Sequence, residues 1–428
     1  MKTITIDEDF FTSNRRNFIE KLLPNSLAIF HSNDLFPRNG DQTFKFRQQS
    51  DLFYFTGISQ EETILMLYPG CPNPDLREVL FIIEPTASLQ TWEGHKYSRK
   101  EARDVSGIEK VRWLEQFDVV LAEAMSFAEN VYLNAIEYAK FSTDVPYRDL
   151  RFAREIREKY PNHDYKRSAP LVYSLRTIKS DEEIRLIKEA IDITGKAFER
   201  ILKFVGPGVT EYQVEAEITH EFLFNGASGS AYHPIIASGE NACTLHYIQN
   251  SDTCKAGDLL LMDFGAEYGH YAADLTRTIP VSGRFTDRQK ACYNAVLHVL
   301  KQAPRLLVPG NTIDKVNKAV NKFMEEEMIG LGLFSREQVL SQDPEKPVYA
   351  KYFMHGVSHF LGLDVHDVGS KFEPFRPGMV FTFEPGLYIR EEKIGIRIEN
   401  NYLVTEGEPV DLTAGIPVEA EEIERLID

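Results

Sequence analysis

Two aspartates in residues 259–278 have a spacing that could bind a metal ion. The stretch reads LLLMDFGAEYGHYAADLTRT, with an apolar run before Asp263 and a turn signal at Tyr268-Gly269. A turn centred between those two residues makes Asp263 face Asp274, and opposed side chains have Cβ atoms about 5 Å apart. Two carboxylates that close in an apolar strand pair need a shared proton or a cation. A hard divalent metal ion, which prefers oxygen ligands, would satisfy that need.

The same residues also fit a solvent-exposed strand pair. An aspartate in a strand often lies on the surface, and residues 274–277, DLTR, could form an ion-paired rim. This stretch by itself does not decide between the two interpretations.

A second stretch repeats the acidic arrangement. Residues 256–265, AGDLLLMDFG, resemble residues 376–386, RPGMVFTFEPG, and the alignment places Asp263 on Glu384. The second copy has a hairpin pattern of its own with a polar tip at residues 391–392, and a turn centred there makes Glu384 face Glu399. The pattern therefore indicates an internal duplication. Halves related by a pseudo-twofold axis would bring four carboxylates together, which suits two divalent metal ions and an acidic bridging water.

Histidines recur at matching places in the two halves. His246 precedes the acidic position of its half by seventeen residues, and His366 precedes its own by eighteen. The segment MHGVSHFLG adds His355 and His359, so that three of the eleven histidines fall within twelve residues. A lone histidine is more often structural, whereas this grouping favours chemistry. We expect His359 to complete the metal ligands and the others to serve proton transfer or oxyanion stabilisation.

Arg397 belongs to the same candidate site. It lies two residues from Glu399 and so shares its face of the predicted strand. It could be a charge partner for the acidic cluster, and it could also orient Glu399 or bind a substrate carbonyl or carboxylate. We expect both roles to apply.

The chain that must position these residues has the composition of an ordinary globular protein. Its 428 residues predict two domains, with 43% apolar and 26% charged residues. A net charge of −17 argues against nucleic acid and anionic membranes as partners. We find no signal peptide, no apolar run of about 20 residues and no CxxC pair among the four cysteines, so a cytoplasmic protein with reduced thiols is expected.

The leading part, residues 1 to 175, is predicted to be an α/β domain. Residues 27–30, 52–55 and 79–83 are predicted as buried strands, and residues 119–128 and 147–159 as amphipathic helices. The polar segment KFRQQSD at residues 45–51 could line a site or form a solvated loop. Trp92, in the polar sequence TWEGHKYS, is expected to lie exposed in a turn. Residues 161–170 are expected to lead into the domain boundary.

From about residue 176 the pattern changes to long helices and the duplicated hairpins. A capped amphipathic helix is predicted after Ser180. Pro-Gly dipeptides at residues 207–208 and 309–310 are each expected to introduce a further helix, one in each half.

This second part resembles the pita-bread metallopeptidases, most closely aminopeptidase P and prolidase. The motifs that carry the resemblance are MDFGAEYGHYAADLTRT, HGVSHFLGLDVHDVG, FTFEPGLYI and IGIRIEN. The leading half, with RQQSDLFYFTG, resembles the N-terminal domain of the same peptidases, which bare methionine aminopeptidases lack. The resemblance implies an α/β N-terminal domain in residues 1–175 and an α+β pita-bread dinuclear metallopeptidase domain in residues 176–428.

The resemblance also implies a set of metal ligands. Asp274 and Glu399 would bridge two Mn(II) ions, which Zn(II) or Co(II) could replace. Asp263 would serve one metal ion, while His359 and Glu384 would serve the other. All five ligand positions are filled, which counts against a metal-free relative such as creatinase and against a non-enzymatic pita-bread binding protein.

The implied reaction is removal of the residue that precedes a proline. A hydroxide bridging the metals would attack the carbonyl before proline, and Glu384 would carry a proton to the leaving imide nitrogen. The substrate would be a peptide with a free N-terminus and proline second, whose tertiary amide lacks an N–H. The residues expected to line the site, in catalysis or substrate binding, are His246, His355, His366, Tyr388 and Arg397.

A dipeptidase of the prolidase type is the main alternative. The connection from Glu384 to Glu399 is short, as in prolidases, whereas many bacterial aminopeptidases P have an insertion there. Arg390 near its tip could bind the C-terminal carboxylate of a dipeptide. We favour the other interpretation, a solvated arginine beside two glutamates.

The resemblance further predicts a homo-oligomer, a dimer or a tetramer. An exposed tryptophan often marks a contact surface. We therefore expect Trp92 to be a candidate contact that completes the site of a neighbouring subunit.

Overall fold

The computed structural model describes residue 4, residues 6–138, residue 141 and residues 143–427. The chain divides into two compact units, Ile4–Arg176 and a second unit that begins at Thr177.

The first unit contains a mixed sheet with helices. Its strands are β1 (Ser26–His31), β2 (Pro37–Asn39), β3 (Gln42–Thr43), β4 (Ile64–Leu67), β5 (Glu78–Ile82), β6 (Val111–Trp113), β7 (Asn130–Leu133) and β8 (Asp164–Arg167). Its helices are α1 (Glu8–Ile19), α2 (Ser50–Thr56), α3 (Ala87–Glu93), α4 (Arg99–Ser106), α5 (Phe117–Met125), α6 (Arg148–Lys159) and α7 (Ala169–Arg176).

Six strands form the central sheet in the order β6-β5-β4-β1-β7-β8. The pairs β1–β7, β7–β8 and β5–β6 are parallel, while β4 runs antiparallel to both of its neighbours. Central strands such as β4 are buried along their whole length, which explains their continuous apolar sequences. The two helices predicted in this unit correspond to α5 and α6.

The strand predicted at residues 52–55 is wrong, because these residues lie inside helix α2. Gln49 caps the N-terminus of this helix through its side chain, and Gly57 ends it in a left-handed conformation with φ of 66°. Every residue of α2 is buried. A short, wholly buried apolar run shows no periodicity, so its sequence pattern could not distinguish a helix from a strand.

Two further expectations for this unit need correction. The polar segment of residues 45–51 is not a solvated loop throughout, since Gln48 is buried. Asp51 lies in the first turn of α2, where it is buried and forms a 2.7 Å ion pair with Arg176. Trp92 lies in helix α3 rather than in a turn, although its side chain is 84% exposed, as predicted.

The second unit combines long helices with short antiparallel strands. Its helices are α8 (Asp181–Leu202), α9 (Glu211–Phe224), α10 (Asp287–Gln302), α11 (Ile313–Gly330), α12 (Arg336–Leu340) and α13 (Ala420–Ile427). Its strands are β9 (Gly229–Ser230), β10 (Ile235–Ser238), β11 (Leu259–Phe264), β12 (Ala266–Tyr268), β13 (Tyr271–Ala272), β14 (Leu275–Pro280), β15 (Val380–Phe383), β16 (Gly386–Ile389), β17 (Ile394–Arg397), β18 (Asn400–Leu403) and β19 (Val410–Asp411).

The helix predictions for this unit are confirmed. Ser180 and Glu183 form a reciprocal capping box at the start of α8. The two Pro-Gly segments precede α9 and α11, whose N-caps are Thr210 and Thr312. In the described part of the chain no helix is long and apolar enough to cross a membrane. All four cysteines are buried free thiols.

The register predicted for the first hairpin is wrong by two residues. Strand β11 pairs with β14 so that Asp263 faces Thr276, and Asp274 lies just before β14. The turn is centred one residue later than expected, because Gly269 and His270 take its two positive-φ positions, at 59° and 67°. Asp274 still points to the same side as Thr276, since strand side chains alternate with a period of two.

The register predicted for the second hairpin is confirmed. Gly386 pairs with Arg397 in β16 and β17, and Phe383 pairs with Asn400 in β15 and β18. Both pairs belong to one continuous register, in which Glu384 and Glu399 occupy opposing positions between the two ladders.

Candidate metal centre

The carboxylates of Asp263 and Asp274 meet at the hydroxyl of Tyr232. This oxygen lies 2.6 Å from Asp263 Oδ1 and 2.5 Å from Asp274 Oδ1. The two carboxylates therefore come together as predicted, although they do not face each other across the ladder. Burial and the nearby negative charges raise the pKa of Tyr232 well above its usual value, so the hydroxyl stays protonated.

Three groups lie close enough to share one metal ion. Ligand atoms of Asp274, His359 and Glu399 all lie within 4.8 Å of one another. His359 Nε2 is 3.4 Å from Asp274 Oδ2, while its Nδ1 lies 2.9 Å from the carbonyl oxygen of Phe360. A proton on Nδ1 donated to that carbonyl leaves Nε2 free as a ligand atom.

Glu384 and Asp263 lie at the border of this group. Glu384 Oε1 is 3.9 Å from His359 Nε2, and Glu384 Oε2 is 3.9 Å from His355 Nδ1. Asp263 is drawn away by Arg397, whose Nη2 donates to Asp263 Oδ2 at 2.6 Å.

Backbone hydrogen bonds place these side chains. The segment that carries the histidines runs beside β15, where Glu384 N donates to Val357 O and Thr382 N donates to His359 O. The two halves are joined by Glu399 N, which donates to Thr276 O at 3.0 Å. The site is therefore built where the two duplicated hairpins meet.

The residues fit divalent metal ions. Glu399 is 2% exposed, and its Oε1 has no hydrogen-bond partner among the described residues. A buried carboxylate oxygen left unpaired is costly unless a cation binds it. Carboxylate oxygens with one imidazole nitrogen form a donor set that suits Mn(II), Zn(II) or Co(II).

The ionisation of the cluster leads to the same conclusion. Burial together with the charges of Asp274 and Glu384 raises the pKa of Glu399 well above its usual value. Burial raises the pKa of Glu384 to about 7, against the opposing effects of His359 and Arg397. Burial lowers the pKa of His359, but the hydrogen bond and charge of Asp274 outweigh it and raise it to about 9. Mutual repulsion of buried anions is what a bound cation relieves.

Arg397 connects the acidic cluster to His355 through Tyr388. Its Nη1 donates to the Tyr388 hydroxyl at 3.0 Å, and that hydroxyl lies 2.8 Å from His355 Nε2. His355 Nδ1 lies 2.8 Å from the carbonyl of Gly356, so the tyrosine hydroxyl donates to Nε2 of a neutral imidazole. Burial and the charge of Arg397 lower the pKa of His355 to about 4.

The two remaining histidines lie at the edge of the site. His366 is exposed, and its ring packs edge-on against His359 with 4.4 Å between ring centroids. His246 is exposed, and its charge contributes to the lowered pKa of His355.

Arg397 contacts Asp263 in this structure, whereas the side chain that holds Glu399 is Thr276.

Sequence reasoning missed three residues of the site. Thr276 Oγ1 donates to Glu399 Oε2 at 2.7 Å and accepts from Arg397 Nε at 3.2 Å. Asn401 Nδ2 donates to the Asp274 carbonyl oxygen at 2.7 Å. The position of Thr276, on the same strand face as Asp274, could have revealed it. Asn401, two residues after Glu399, carried the same spacing signal, whereas Tyr232 belongs to no pattern around the acids.

Arg390, the residue considered as a carboxylate clamp, is bound elsewhere. Its Nη2 donates to the carbonyl oxygen of Cys243 at 3.1 Å, and its Nη1 lies 3.9 Å from Glu240. The side chain is 61% exposed. It is therefore a surface residue, although it is anchored to residues 240–243 rather than standing beside its neighbouring glutamates.

Two protein-family models match this chain. Residues 185–406 match metallopeptidase family M24, and residues 11–132 match the N-terminal domain of aminopeptidase P. The Xaa-Pro aminopeptidase of Escherichia coli (strain K12) is 34% identical over 440 residues, which span 99% of this chain and 98% of that protein.

Two solved structures extend the similarity to three dimensions. A Bacillus anthracis protein provisionally described as an aminopeptidase P is 36% identical, with a TM-score of 0.92 over 99% of this chain and 98% of that one. Zinc-substituted E. coli aminopeptidase P in complex with product is 34% identical, with a TM-score of 0.89 over 99% of both chains. With its fold and acidic site, the chain belongs to metallopeptidase family M24 and carries an aminopeptidase P N-terminal domain.

Proposed function

We propose that this protein is an Xaa-Pro aminopeptidase, a metal-dependent exopeptidase that removes the residue before a proline. The observation that carries the proposal is the convergence of Asp274, His359 and Glu399, with Asp263 and Glu384 at its border, in a chain similar to Xaa-Pro aminopeptidases over nearly its whole length. The chain's two compact units then serve as an N-terminal α/β domain and a pita-bread catalytic domain.

Asp263, Asp274, His359, Glu384 and Glu399 are proposed to hold two divalent ions, with Mn(II) as the working metal. When bound, the ions would supply Lewis acidity and lower the pKa of water towards neutrality. Tyr232, Thr276 and Asn401 then keep the ligands oriented, as partners behind metal ligands do in other sites.

Glu384 is proposed as the group that moves the proton. Its carboxylate lies between two histidines, 3.9 Å from His355 Nδ1 and 3.9 Å from His359 Nε2. Its position lets one oxygen remain a ligand while the other takes a proton from water and delivers it to the leaving nitrogen. Because the proline nitrogen has no hydrogen in the peptide, this proton completes the amine of the product.

The remaining site residues are proposed to bind the peptide. His355 is held neutral by Tyr388 and Arg397, and it is proposed to line the peptide-binding face as an uncharged imidazole. His246 and His366 lie exposed at the edge of the site, where a substrate could reach them.

A paired assay tests the proposal directly. The protein loaded with Mn(II) would be given Xaa-Pro dipeptides and Xaa-Pro-Yaa peptides of three or more residues. We expect the longer peptides to be cleaved and the dipeptides to be poor substrates, since Arg390 is tied to Cys243 and offers no clamp for a dipeptide carboxylate. Cleavage of dipeptides alone would make the protein a prolidase.

Two variants separate the site from the rest of the chain. Asp274→Asn should abolish cleavage, while Asp287→Asn, at the first turn of α10, should not change it. Full activity of the wild type in excess chelator would contradict a metal-dependent reaction. Peptides of any length that stay intact with metal bound would contradict the proposed substrate.

A dimer or tetramer is proposed for the assembled enzyme. Trp92 is a large apolar side chain left 84% exposed on helix α3, and such exposure favours a protein contact. Sedimentation of the wild type and Trp92→Ala, with the same monomer for both, would exclude that contact.

A further inference from the structure

We propose that Glu211 is a positioning residue for substrate binding, because its buried carboxylate holds the loop of residues 238–252 on which His246 is carried. This inference deepens the proposed aminopeptidase function and rests on it for the role of His246. The loop leads from the end of β10 towards β11 and contains no metal ligand.

Glu211 is the first residue of helix α9 and is fully buried. Its carboxylate accepts five hydrogen bonds, all from one loop and all of 2.7 to 3.1 Å. The donors are Ser238 N, Ser238 Oγ, Asn241 Nδ2, Tyr247 OH and Asp252 N. One side chain therefore ties the beginning, the middle and the end of the loop to the helix.

The chemistry of this contact requires a carboxylate. An ionised glutamate only accepts hydrogen bonds and offers about four lone-pair positions, whereas a glutamine would present an amide donor to a set of donors. Within the described residues Glu211 forms no ion pair with a lysine or arginine. The donors of the loop and the positive end of the helix therefore stabilise its negative charge.

His246 itself has little to hold it in place. It is exposed, and within the described residues its ring makes no hydrogen bond. The next residue, Tyr247, is fixed at both ends. Its ring packs in an apolar cluster that also contains Leu261 and Tyr388, and its hydroxyl donates to Glu211 Oε2 at 2.7 Å.

The other side of the loop is a packing contact. Strand β17 approaches it so closely that a Cβ on Gly395 would lie 2.2 Å from the carbonyl oxygen of Ala242. Glu211 holds the loop against this strand. Tyr247 packs in the same apolar cluster as Tyr388, and the Tyr388 hydroxyl is hydrogen-bonded to His355. The position of His246 relative to the site thus depends on Glu211.

Steady-state kinetics on an Xaa-Pro-Yaa tripeptide with saturating Mn(II) provide the first test. Glu211→Gln and His246→Ala should each raise KM about tenfold with little change in kcat. The KM of the double variant should be little higher than that of either single variant, because the effects of residues that act together are not additive. Tyr247→Phe, which removes one of the five donors, should raise KM less. Glu217→Gln, on the same helix but paired with Arg200 at the surface, is the matched control.

Two measurements test the inference without activity. Calorimetric Mn(II) affinity should be unchanged in Glu211→Gln, since the loop holds no ligand. Modification of His246 by diethyl pyrocarbonate would be followed by mass spectrometry of the peptide. The modification rate should change in Glu211→Gln and to a smaller degree in Tyr247→Phe, but not in Glu217→Gln.

If the effects of Glu211→Gln and His246→Ala on KM multiply in the double variant, the inference is overturned. A modification rate of His246 that is unchanged in Glu211→Gln would also overturn it. If Glu211→Gln does not fold, Tyr247→Phe carries the same test. A wild-type protein that cleaves no Xaa-Pro peptide would remove the proposed function alone, because the modification rates still report whether Glu211 positions His246.

Discussion

At the scale of single residues, the site depends on hydroxyl groups that lie between charged or polar side chains. Tyr232 lies between two aspartates, Thr276 lies between Arg397 and Glu399, and Tyr388 lies between Arg397 and His355. Thr276 and Tyr388 each accept a hydrogen bond from Arg397 and donate one to the neighbour on the other side. Tyr232 has one proton, which it donates to one aspartate, and it accepts from the other only when that carboxyl is protonated. The arrangement orients the chemical groups without adding charge.

Removing the Tyr388 hydroxyl tests this arrangement. We expect Tyr388→Phe to lower kcat/KM on an Xaa-Pro-Yaa peptide about tenfold to a hundredfold, since partners behind reacting groups have effects of that size. His355 would lose its donor and Arg397 one acceptor, while the metal ligands stay in place.

The measurement is paired with a control. Tyr349→Phe removes a hydroxyl that accepts a hydrogen bond from Asn321 away from the site, and it should leave kcat/KM unchanged. Equal kinetics for Tyr388→Phe and the wild type would show that the tyrosine only fills space.

At the scale of elements, the first hairpin depends on a glycine between β11 and β12. A Cβ on Gly265 would lie 1.8 Å from the carbonyl oxygen of Ala273, the residue just before Asp274. The register of the hairpin, extended by two residues, places this glycine opposite Asp274. Its missing side chain is what allows the two backbones to approach at Asp274, a proposed metal ligand.

Gly265→Ala should therefore destabilise the protein by about 3 kcal/mol and weaken Mn(II) binding, because the added methyl group must push the Asp274 strand away. Thermal unfolding and metal titration would measure the two effects. Gly206→Ala, where a Cβ would meet nothing within 4 Å, is the control and should change neither. A Gly265→Ala protein with normal metal affinity would show that the backbone can move without the ligand.

A buried arginine joins the same hairpin to the C-terminal segment. Arg277 donates to the carbonyl oxygens of Thr276, Glu399 and Pro417 at 2.6 to 3.0 Å. It is fully buried. It therefore links strand β14, the proposed metal ligand Glu399 and the chain before α13.

We expect Arg277→Met to lower the free energy of unfolding by about 3 kcal/mol, because several buried carbonyl groups would lose their donor. Arg185→Met, which removes a surface ion pair with Glu182, should cost about 0.5 kcal/mol or less. Denaturant unfolding of both variants would measure this, and equal losses would argue against the role given to Arg277.

At the scale of the whole molecule, the acidic centre couples stability to pH and to metal. Glu384 and His359 both have pKa values raised by the folded structure, to about 7 and about 9. Groups with raised pKa values bind more protons in the folded state, so their contribution is present at low pH and is lost as pH rises through those values. The pKa of His355 is lowered in the folded state, so this residue makes stability rise with pH. Its effect is confined to pH values below its unfolded pKa of about 6.5.

The metal-free protein should therefore lose stability between pH 6.5 and pH 9. A difference of one bound proton corresponds to about 1.4 kcal/mol per pH unit. Thermal melts of chelated protein across this range would show a falling midpoint, and saturating Mn(II) should raise the midpoint more at pH 9 than at pH 6.5. Melts of Glu384→Gln without metal should fall less steeply at the lower end of this range, around pH 7, where Glu384 loses its proton. A midpoint that does not depend on pH would contradict the coupling.

The sequence by itself identified the acids of the site and the duplication that relates them. Residue type, strand periodicity and the repeated Pro-Gly and acidic motifs are local properties, and they also predicted the register of the second hairpin correctly. Local pattern was insufficient at residues 52–55, where complete burial erases the period that separates helix from strand. It was also insufficient in the first hairpin, where one residue in the turn moved the partner of Asp263 to Thr276.

Only the tertiary structure decided how the acids are held. Tyr232 reaches Asp263, and Asn401 reaches Asp274, from segments distant in sequence, and Glu211 acts through a loop of its own. Such contacts arise from packing of separate elements rather than from spacing along one of them. The types of the reacting groups are therefore written in the sequence, whereas their orientation and charge state follow from burial and from neighbours that the fold brings together.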